Sequence, residues 1–421
     1  MKVLTYKDSI FENQIKQSEF FDEWHNFAIF FNMEIYSISH AYHKKSSLIK
    51  RCYKVADRPT YYSVGSLKST QVYLGYLLSR YYDAIPDNDC LIAYRKGVHP
   101  LDWVRDNLEN KCRYLIKADV KKYYDNITHQ KIFDTMKFFG FPNRGAKLIG
   151  NLSTMRKTVD LPNSRKVTRQ CLQQGSSCSP VIANLVGYYI FDRHIQEWAA
   201  KLREQHPKLI IRYARYSDNL VLGLDGEIPN GFNIIHEYKH LIYKLAVDNK
   251  FHLHKWSVVP KNHPKRNQSF LGVVFNEKMR VDKNRMSKIK GALFSYITKP
   301  TTLTLNEWFR ETGGFPSGAI DTLKTREELF LRSIQGKISA IKSVNEEDYN
   351  MLKKLFIAGK LLNKGYGNMH AGAYVRPKYV QEEDKSKLKE DIFSVVNTYK
   401  NKKEAVSGYE KRVKEVLKNY Q

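Results

Sequence analysis

Apolar and aromatic side chains recur along the chain at two periods, and each period predicts a different element. Residues 66–84 (SLKSTQVYLGYLLSRYYDA) carry them at the three- and four-residue spacing of an amphipathic helix. Residues 209–225 (LIIRYARYSDNLVLGLD) place strand-forming residues on both sides of a polar turn, which is typical of a β-hairpin. Residues 112–127 (CRYLIKADVKKYYDNI) begin as a buried strand, turn after Asp119 and pass into a helix near Thr128.

The other patterns divide the chain into a mixed middle and a helical end. Strands are expected near 251–259 and 269–275. The further helices are expected at 181–202, 232–248, 323–342, 346–364 and 383–418. The stretch GGFPSG at 313–318 is typical of a flexible connection. The middle is therefore α+β with an antiparallel element at its centre, and the boundary to the helical part is expected near residue 280.

The charge of the chain is strongly positive. Lys and Arg number 70 against 43 Asp and Glu, which gives a net charge of +27 and a pI near 9.6. The last forty residues mix basic and acidic side chains almost evenly, so the excess belongs to the folded body. Because such a charge causes self-repulsion, it favours a polyanionic partner over a merely soluble basic surface.

The cysteines and the apolar runs predict the compartment. The five cysteines form no CxxC pair and no metal-ligand spacing, and they are Cys52, Cys90, Cys112, Cys171 and Cys178. An odd count without a framework favours reduced thiols. The N-terminal residues MKVLTYKDSIFENQIK lack the apolar core of a signal peptide, and no run approaches the 18 apolar residues of a membrane span. We expect a cytoplasmic protein with no membrane partner.

Two aspartates lie where predicted strands end. Asp119 ends YLIKAD, and Asp218 occupies the turn of the hairpin about a hundred residues later. Transfer of a nucleotide with two metal ions needs carboxylates from separate strands, with the ions about 3.5–4 Å apart. Between the aspartates, QQGSSCSP at 173–180 supplies Gly175, which permits close backbone approach, and Pro180, which suits a helix start. Either aspartate alone would be a turn residue or a helix cap.

In this order the motifs resemble those of reverse transcriptases, of the bacterial kind that includes retron, group II intron and defence-associated enzymes. ADVKKYYDNI resembles the palm motif with the first catalytic Asp, QGSSCSP the QGxxxSP motif, and RYSDN the YxDD box. AYRKG at 93–97 is similar to the fingers motif, FLGVVF at 270–275 to the primer grip, and residues 333–355 to the thumb helices. The resemblance covers residues 60–365 and implies a right-hand polymerase fold with an antiparallel palm sheet and a helical thumb.

The resemblance also implies domain limits and partners. It places an N-terminal appendage at 1–50, fingers and palm at 51–280, the thumb at 281–380 and a C-terminal helix at 381–421, the two appendages being short and helical. The implied partners are dNTPs, a DNA product and RNA, either a template or a noncoding RNA. A companion defence protein or a second copy of the chain is a further expectation. The implied cofactor is Mg²⁺, as two ions, with Mn²⁺ as an alternative.

Carried over position by position, the motifs assign roles to individual residues. Asp119 and Asp218 would be catalytic metal ligands, with Asn219 at the accessory position beside them. Tyr124 falls where an aromatic ring excludes a ribose 2′-hydroxyl and so favours deoxynucleotides. Lys255 matches a lysine that donates a proton to the departing pyrophosphate, although His254 replaces its usual Asn neighbour. The residues expected at the nucleotide are Arg95, Lys96, Tyr124, Gln174 and Gly175; those expected at the primer grip are Phe270, Leu271 and Gly272.

Asn219 departs from the family pattern, which has Asp at that position. An amide oxygen still reaches a metal but carries no charge, and one charge at about 4 Å is worth about 4 kcal/mol at an effective dielectric of about 20. Negative-strand RNA virus polymerases carry GDN at the corresponding hairpin, so we expect activity with an altered metal preference. Asp125, beside Tyr124, is not expected to compensate. His252 and His254 alternate on one strand face without a third ligand, and a structural role is expected for them.

Three functions are consistent with these residues. The first is RNA-directed DNA synthesis in bacterial antiphage defence, with a noncoding RNA. The defence role rests on analogy, because no RNase H, maturase or HNH-like motif follows the thumb. The second is untemplated or protein-primed DNA synthesis by the same fold, with one of the 28 tyrosines as primer. The third is a catalytically inactive RNA-binding or assembly module, for which Asn219 is the only support.

Overall fold

The computed structural model describes residues 34–55, 58–83, 85, 88–109, 112–160, 166–229, 231–298, 301–312 and 322–367. The chain divides into two compact units. The first unit consists of Met1–Tyr53 and Pro59–Gln268, and the second consists of Lys54–Arg58 and Ser269–Gln421. Most of the N-terminal appendage, the connection at 313–318 and the helix expected at 383–418 lie outside the described residues. The limits of fingers, palm, thumb and appendages stay a prediction.

Among its described residues, the first unit contains ten α-helices, a 3-10 helix (Asn88–Cys90), a π-helical turn (Tyr188–Asp192), a four-stranded sheet and two two-stranded sheets, one of which pairs β1 with β2. In chain order its elements are α1 (Ile35–His43), α2 (Lys45–Leu48), β1 (Ile49–Val55), β2 (Arg58–Ser63), α3 (Gly65–Asp83), α4 (Asp102–Glu109), β3 (Tyr114–Val120), α5 (Tyr123–Asn126), α6 (His129–Phe138), α7 (Asn143–Ser153), β4 (Thr154–Asp160), β5 (Lys166–Leu172), α8 (Ser179–Gly187), α9 (Arg193–Gln205), β6 (Leu209–Tyr216), β7 (Asn219–Gly226), α10 (Gly231–Asp248) and β8 (Leu253–Pro260). The short strands β1 and β2 cross the limit between the units.

The central sheet of this unit has the strand order β6-β7-β3-β8, and every neighbouring pair is antiparallel. Strand β3 lies inside the sheet, and Leu115, Ile116, Ala118 and Val120 on it are buried. A strand with buried residues on both faces needs layers on both sides, which explains its nearly continuous apolar sequence. The antiparallel centre and the α+β class that the sequence predicts are therefore confirmed.

Helix α3 confirms the amphipathic helix predicted at 66–84. Its buried apolar positions recur at helical spacing, and they are Leu67, Leu74, Leu78, Tyr81 and Tyr82. The predicted start of a helix near Thr128 is confirmed by α6, because the Thr128 side chain accepts a hydrogen bond from the backbone N–H of Lys131 at 3.4 Å. The hairpin β6–β7 and the helix α10 also lie where the sequence predicts them.

The single helix predicted at 181–202 is instead two helices joined by a π-helical turn, Tyr188–Asp192. A π turn accommodates one extra residue and so shifts the faces of the helix that follows. With this shift the buried Asp192 carboxylate meets Arg215 on β6. The helix α7 and the hairpin of β4 with β5 were not predicted, and β4 pairs with β5 in an unbroken antiparallel register.

The second unit is mainly helical. Its elements are β9 (Ser269–Phe270), β10 (Val273–Val274), β11 (Arg280–Val281), α11 (Lys283–Thr298), α12 (Thr301–Glu311), α13 (Leu323–Lys342) and α14 (Glu346–Gly367). The strand predicted at 269–275 is thus a hairpin of two short strands, because Leu271 and Gly272 form a turn with positive φ at both residues. Helices α13 and α14 confirm the prediction, whereas α11 and α12 were not foreseen.

The helices of the second unit have their own apolar core, centred on buried residues such as Leu293, Phe330, Ile334 and Leu352. Among the described helices of the whole chain, none combines the length and the apolar content that crossing a membrane requires.

Candidate active site

The hairpin β6–β7 ends in a two-residue turn that carries a carboxylate at its tip. Tyr216 pairs with Asn219, so Ser217 and Asp218 form the turn. Ser217 has a φ of 56°, a conformation that residues other than glycine rarely adopt. Strained backbone of this kind persists only where surrounding contacts hold it, and such positions cluster at functional sites.

Asp119 lies directly beside this turn. In the pairing of β3 with β7, Asp119 is opposite Asn219, and opposed residues in antiparallel strands project from the same face of the sheet. The N–H of Val120 donates to the Asp218 carbonyl oxygen at 2.8 Å. The fold therefore brings Asp119, Asp218 and Asn219 together from two neighbouring strands, as the spacing of the motifs predicts.

Asn219 contacts the carboxylate next to it. Its Nδ2 donates to Oδ1 of Asp218 at 3.0 Å. A second carboxylate at this position would place two negative charges side by side, whereas the amide supplies a hydrogen-bond donor. Asn219 thus orients Asp218 in addition to lowering the charge of the site.

The Asp119 carboxylate also has two basic neighbours on β8. Nδ1 of His254 lies 3.2 Å from Oδ1, and Nζ of Lys255 lies 3.4 Å from Oδ2. A register shift between Lys117 and Asp119 in the pairing of β3 with β8 accompanies these contacts, and Lys255 has a φ of 54°. The structure therefore brings Lys255 to the site. His254, for which the sequence predicts a structural role, touches the first carboxylate.

The donor set at this site fits a divalent cation. Asp119 and Asp218 offer carboxylate oxygens and Asn219 an amide oxygen, which are ligands that hard cations prefer. Within the part of the chain that the structure describes, no three His, Cys, Asp or Glu side chains form a cluster around a metal position. Two carboxylates agree with Mg²⁺, which retains waters and takes further oxygens from substrate phosphates.

A buried ion pair lies behind the turn. Nε and Nη2 of Arg215 donate to the Asp192 carboxylate at 2.7–3.0 Å, and Tyr213 donates its hydroxyl to the same group at 2.6 Å. Nη2 of Arg215 also donates to the carbonyl oxygen of Asn184 at 2.9 Å, and Nη1 to that of Ser217 at 3.0 Å. The guanidinium therefore joins helix α8, the π turn and the hairpin β6–β7.

The alternation of side chains along β6 contains a signal for this pair. Leu209, Ile211 and Tyr213 alternate on the buried face of β6, and Arg215 continues that face. An arginine on an apolar face requires a carboxylate partner. The partner itself could not be chosen from the sequence, because Asp192 reaches β6 only through the π turn.

Tyr124, the predicted sugar-excluding ring, lies on α5 beside the hairpin. Burial, followed by the nearby Tyr94, holds the pKa of Tyr124 well above the usual range, and Ser217 lies close enough to lower it in part. Tyr94 also lies close enough to Asp218 for that charge to raise its pKa, after the larger effects of burial and Tyr216. The structure thus places Tyr124 near the turn that carries Asp218, and it adds Tyr94 and Ser217, which the prediction omitted.

Arg95 and Lys96 follow Tyr94 in the segment that runs beside β6, where Leu91 forms a parallel bridge with Arg215. Nε of Arg95 lies 3.8 Å from Oδ1 of Asp83, an ion pair without hydrogen-bond geometry. Lys96 is exposed. Tyr94 is the residue of this segment that lies near the tip of the hairpin. The contact of Arg95 and Lys96 with a triphosphate stays a prediction.

Gln174 and Gly175 form a turn against β2. The carbonyl oxygen of Gln174 accepts a hydrogen bond from the N–H of Tyr61 at 2.9 Å. Gly175 has a φ of 106°, and a Cβ atom there would lie 2.4 Å from the Tyr61 carbonyl oxygen. Only glycine fits this close approach. Helix α8 begins after this turn and carries Asn184 to Arg215, which ties the loop to the hairpin.

The predicted primer-grip residues belong to the second unit. Phe270 is buried and pairs with Val273, and Leu271 and Gly272 form the two-residue turn between β9 and β10. The N–H of Asp282 donates to the carbonyl oxygen of Gly272 at 3.0 Å, which fixes the turn to the start of α11. A role of these residues at a primer stays a prediction.

A comparison with known protein families matches the part of the chain that carries this site. Residues 76–275 match the family model described as reverse transcriptase (RNA-dependent DNA polymerase). None of the curated protein sequences that were compared matches the chain.

The similar solved structures include telomerase from Candida albicans with a fragment of telomeric RNA, which is 11% identical with a TM-score of 0.39 over 83% of this chain and 58% of that chain. Apo telomerase from Candida tropicalis is 13% identical with a TM-score of 0.39, over 82% of this chain and 61% of that chain. The BmCPV RNA-dependent RNA polymerase is 8% identical with a TM-score of 0.38 over 63% and 26%. The chain thus spans less than two thirds of each of these proteins.

Proposed function

We propose that this protein is an RNA-directed DNA polymerase that adds dNTPs to a 3′-hydroxyl, a proposal that the match of residues 76–275 to the reverse transcriptase family model supports. The observation that carries the proposal is the convergence of Asp119 and Asp218. Asp119 lies on β3 opposite Asn219 of the neighbouring strand β7, and Asp218 lies in the turn that leads into β7, where its carbonyl oxygen accepts from the N–H of Val120. Nucleotidyl transferases need carboxylates that are placed in this way.

Asp119 and Asp218 would hold two divalent ions, Mg²⁺ or Mn²⁺, with Asn219 beside them. When bound, such ions activate the attacking hydroxyl and neutralise charge on the leaving pyrophosphate. Asn219 keeps the Asp218 carboxylate oriented through its 3.0 Å hydrogen bond. Lys255 balances the charge of Asp119, and Nδ1 of His254 lies 3.2 Å from the same carboxylate.

The other residues would bind and select the nucleotide. Tyr124 presents a ring that a ribose 2′-hydroxyl would meet. Arg95 and Lys96 supply positive charge for the triphosphate, and the guanidinium of Arg95 suits phosphate oxygens. Gln174 and Gly175 provide a close backbone surface for the base pair. Lys255 is the candidate proton donor to pyrophosphate, because its exposed ammonium lies at the site.

The proposal extends to partners and setting. The net charge of +27 suits a nucleic-acid duplex and a structured RNA bound through phosphates. The resemblance to retron and defence-associated enzymes supports a bacterial antiphage role with a noncoding RNA in the cytoplasm, with a companion protein or a second copy of the chain. Phe270, Leu271 and Gly272 would contact the primer.

The test is primer extension with purified protein. The assay contains an RNA template, an annealed DNA primer, dNTPs and Mg²⁺ or Mn²⁺. We expect template-directed extension by the wild type and loss of extension to background in Asp119→Ala and Asp218→Ala, because each removes a metal ligand. Asp225→Ala is the matched control, since Asp225 lies on the same hairpin near its base, opposite Ile210. It should extend at the wild-type rate.

Other outcomes would favour the alternatives. DNA recovered in covalent linkage to the protein, with a sequence independent of the added RNA, would indicate protein-primed or untemplated synthesis. No incorporation with either metal, together with unchanged RNA binding by Asp218→Ala, would contradict the proposal and favour the RNA-binding module that Asn219 suggests.

A further inference from the structure

Two cations lie directly opposite each other on the inner face of the hairpin β4–β5. In the pairing of the two strands, Lys157 is the partner of Arg169. Like charges at opposed positions of an antiparallel pair repel each other. The neighbouring pairs on the same face are apolar, and they are Met155 with Cys171 and Val159 with Val167. Two cations in such surroundings need partners from outside the hairpin.

The short helix α5 supplies both partners. Nζ of Lys157 donates to Oδ1 of Asp125 at 2.7 Å, and Nη2 of Arg169 donates to Oδ1 of Asn126 at 2.6 Å. The side chains of Lys157 and Asp125 are 15% and 18% exposed, so this ion pair is largely removed from water. The hairpin β4–β5 is therefore bonded to the two residues that directly follow Tyr124 in the chain.

Asn126 also closes the turn that leads from Asp119 into α5. Its Nδ2 donates to the carbonyl oxygen of Lys121 at 2.9 Å, and its backbone N–H donates to that of Lys122 at 3.1 Å. Lys122 has a φ of 50°, a conformation that surrounding contacts have to maintain. The bond from Arg169 to Asn126 therefore acts on the whole segment between Asp119 and Tyr124.

We propose that Asp125, Lys157 and Arg169 are positioning residues for sugar selection, because they hold the helix that carries the Tyr124 ring. This inference rests on the proposed function and deepens it. A helix of four residues has little stability of its own, so contacts from outside have to fix it. A ribonucleotide that pushes the ring aside also has to displace α5, and the bonds from the hairpin β4–β5 resist that displacement.

A separate anchor holds α5 on the other side of Tyr124 in the chain. Tyr123 is buried, its hydroxyl donates to the carbonyl oxygen of Ala183 at 2.7 Å, and its ring centroid lies 5.6 Å from that of Phe251. Removing a bond from the hairpin β4–β5 leaves this anchor in place. Such a variant should therefore keep its fold and lose only part of the resistance to movement at Tyr124.

The experiment measures kcat/KM for one dNTP and for the matching rNTP in primer extension. In Lys157→Met, Arg169→Met and Asp125→Ala we expect the dNTP/rNTP ratio to fall by about 3- to 10-fold, as the net value of one hydrogen bond suggests. The change should come mainly from the rNTP constants, because a dNTP has no 2′-hydroxyl to press on the ring.

A double variant tests whether the ion pair itself is responsible. Lys157→Met combined with Asp125→Ala should lower the ratio little further than either substitution alone, because both remove the same bond. Fully additive losses would show that the two residues act separately and would contradict the inference.

The control is Arg156→Met, which removes a cation from the adjacent position of β4. Arg156 is exposed and is paired with Gln170, on the face of the hairpin opposite to Lys157. Its dNTP/rNTP ratio should equal that of the wild type. A variant that is merely less stable changes both nucleotides equally, so thermal melting of each variant completes the assay. Arg169→Met and Asp125→Ala decide the question even where Lys157→Met fails to fold.

The outcomes separate this inference from the function on which it rests. Unchanged ratios in Arg169→Met and Asp125→Ala, with polymerisation by the wild type intact, would overturn the positioning role and leave the polymerase proposal standing. An equal fall in Arg156→Met, or a wild type that incorporates both sugars equally well, would overturn it too. Failure of the wild type to incorporate either nucleotide would remove the polymerase proposal, and this inference with it.

Discussion

The two ends of the hairpin β6–β7 are stabilised in opposite ways. At its tip, Arg215 and Asp192 form an ion pair whose side chains are 1% and 0% exposed. At its base, Lys208 and Glu227 form an ion pair at 2.7 Å whose side chains are 76% and 72% exposed. Both appear as short contacts, but only the first is removed from water. Two equally short ion pairs can therefore have very different energetic importance.

The backbone shows the same contrast. Gly226 at the base has a φ of 73°, and a Cβ there would lie 2.1 Å from the carbonyl oxygen of Lys208. The base thus uses the residue that its conformation requires. At the tip, Ser217 adopts a φ of 56° with a side chain present. At the tip, the strained backbone belongs to a residue with a hydroxyl group, and the Asp218 carboxylate follows it directly.

The largest effect on stability is expected from breaking the buried pair. Arg215→Met leaves the Asp192 charge buried with only the Tyr213 hydroxyl, among the contacts described above, to bond it. We expect a loss of about 3–5 kcal/mol in the free energy of unfolding, as is typical when one partner of a buried pair is removed. Urea unfolding followed by tryptophan fluorescence measures the change.

Lys208→Met is the matched control, because it removes a cation from the exposed pair at the other end of the same hairpin. Its unfolding midpoint should stay at the wild-type value, since exposed pairs contribute little. Equal losses in the two variants would contradict the contrast. The double variant Arg215→Met with Asp192→Leu should recover part of the loss, because no unpaired charge then remains buried.

An intermediate effect on the free energy of unfolding is expected from substituting the residues with positive φ at the two ends of the hairpin. Gly226→Ala adds a Cβ against backbone at positive φ, and we expect a loss of about 1–3 kcal/mol. Ser217→Gly relieves strain at the tip but removes the hydroxyl, so the two effects should largely cancel in stability. The same urea titrations measure the free energy of unfolding of both variants. A larger loss in Ser217→Gly than in Gly226→Ala would contradict the inference that the backbone at the tip is strained.

The contrast between the ends also explains what the sequence could predict. The alternating pattern of 209–225 predicted both strands and the turn. The order of the motifs predicted that Asp119 and Asp218 belong to one site. These features depend on local periodicity and on motif spacing, which a sequence displays directly. The expected roles of Gln174 and Tyr124 rest on the same motifs and stay predictions.

The parts that were missed depend on contacts between distant residues. The helix predicted at 181–202 has no local sign of the π turn that places Asp192 against Arg215. Tyr94 reaches Tyr124 because the segment around Leu91 runs beside β6, a pairing between residues more than a hundred positions apart. Helices α11 and α12 carry buried positions such as Leu293 and Leu305, but the core that selects them is assembled from four helices.

The smallest effect on activity is expected at Asn219, where the tip differs from the family pattern. Asn219→Asp exchanges the donor to Asp218 for a second carboxylate opposite Asp119. Without metal, the like charges should lower the melting temperature. With saturating Mg²⁺ the added charge gains a partner, so the melting temperature should recover and primer extension should equal or exceed that of the wild type. The Mg²⁺ concentration for half-maximal extension should fall.

Asn219→Ala separates the charge from the hydrogen bond. It removes the donor without adding charge, so it should extend more slowly than the wild type at every Mg²⁺ concentration if orientation of Asp218 matters. If Asn219→Asp lost extension as completely as Asp218→Ala, the hydrogen bond from Asn219 to Asp218 would be a requirement of this site. The tip would then be adapted to its amide, just as the base is adapted to Gly226.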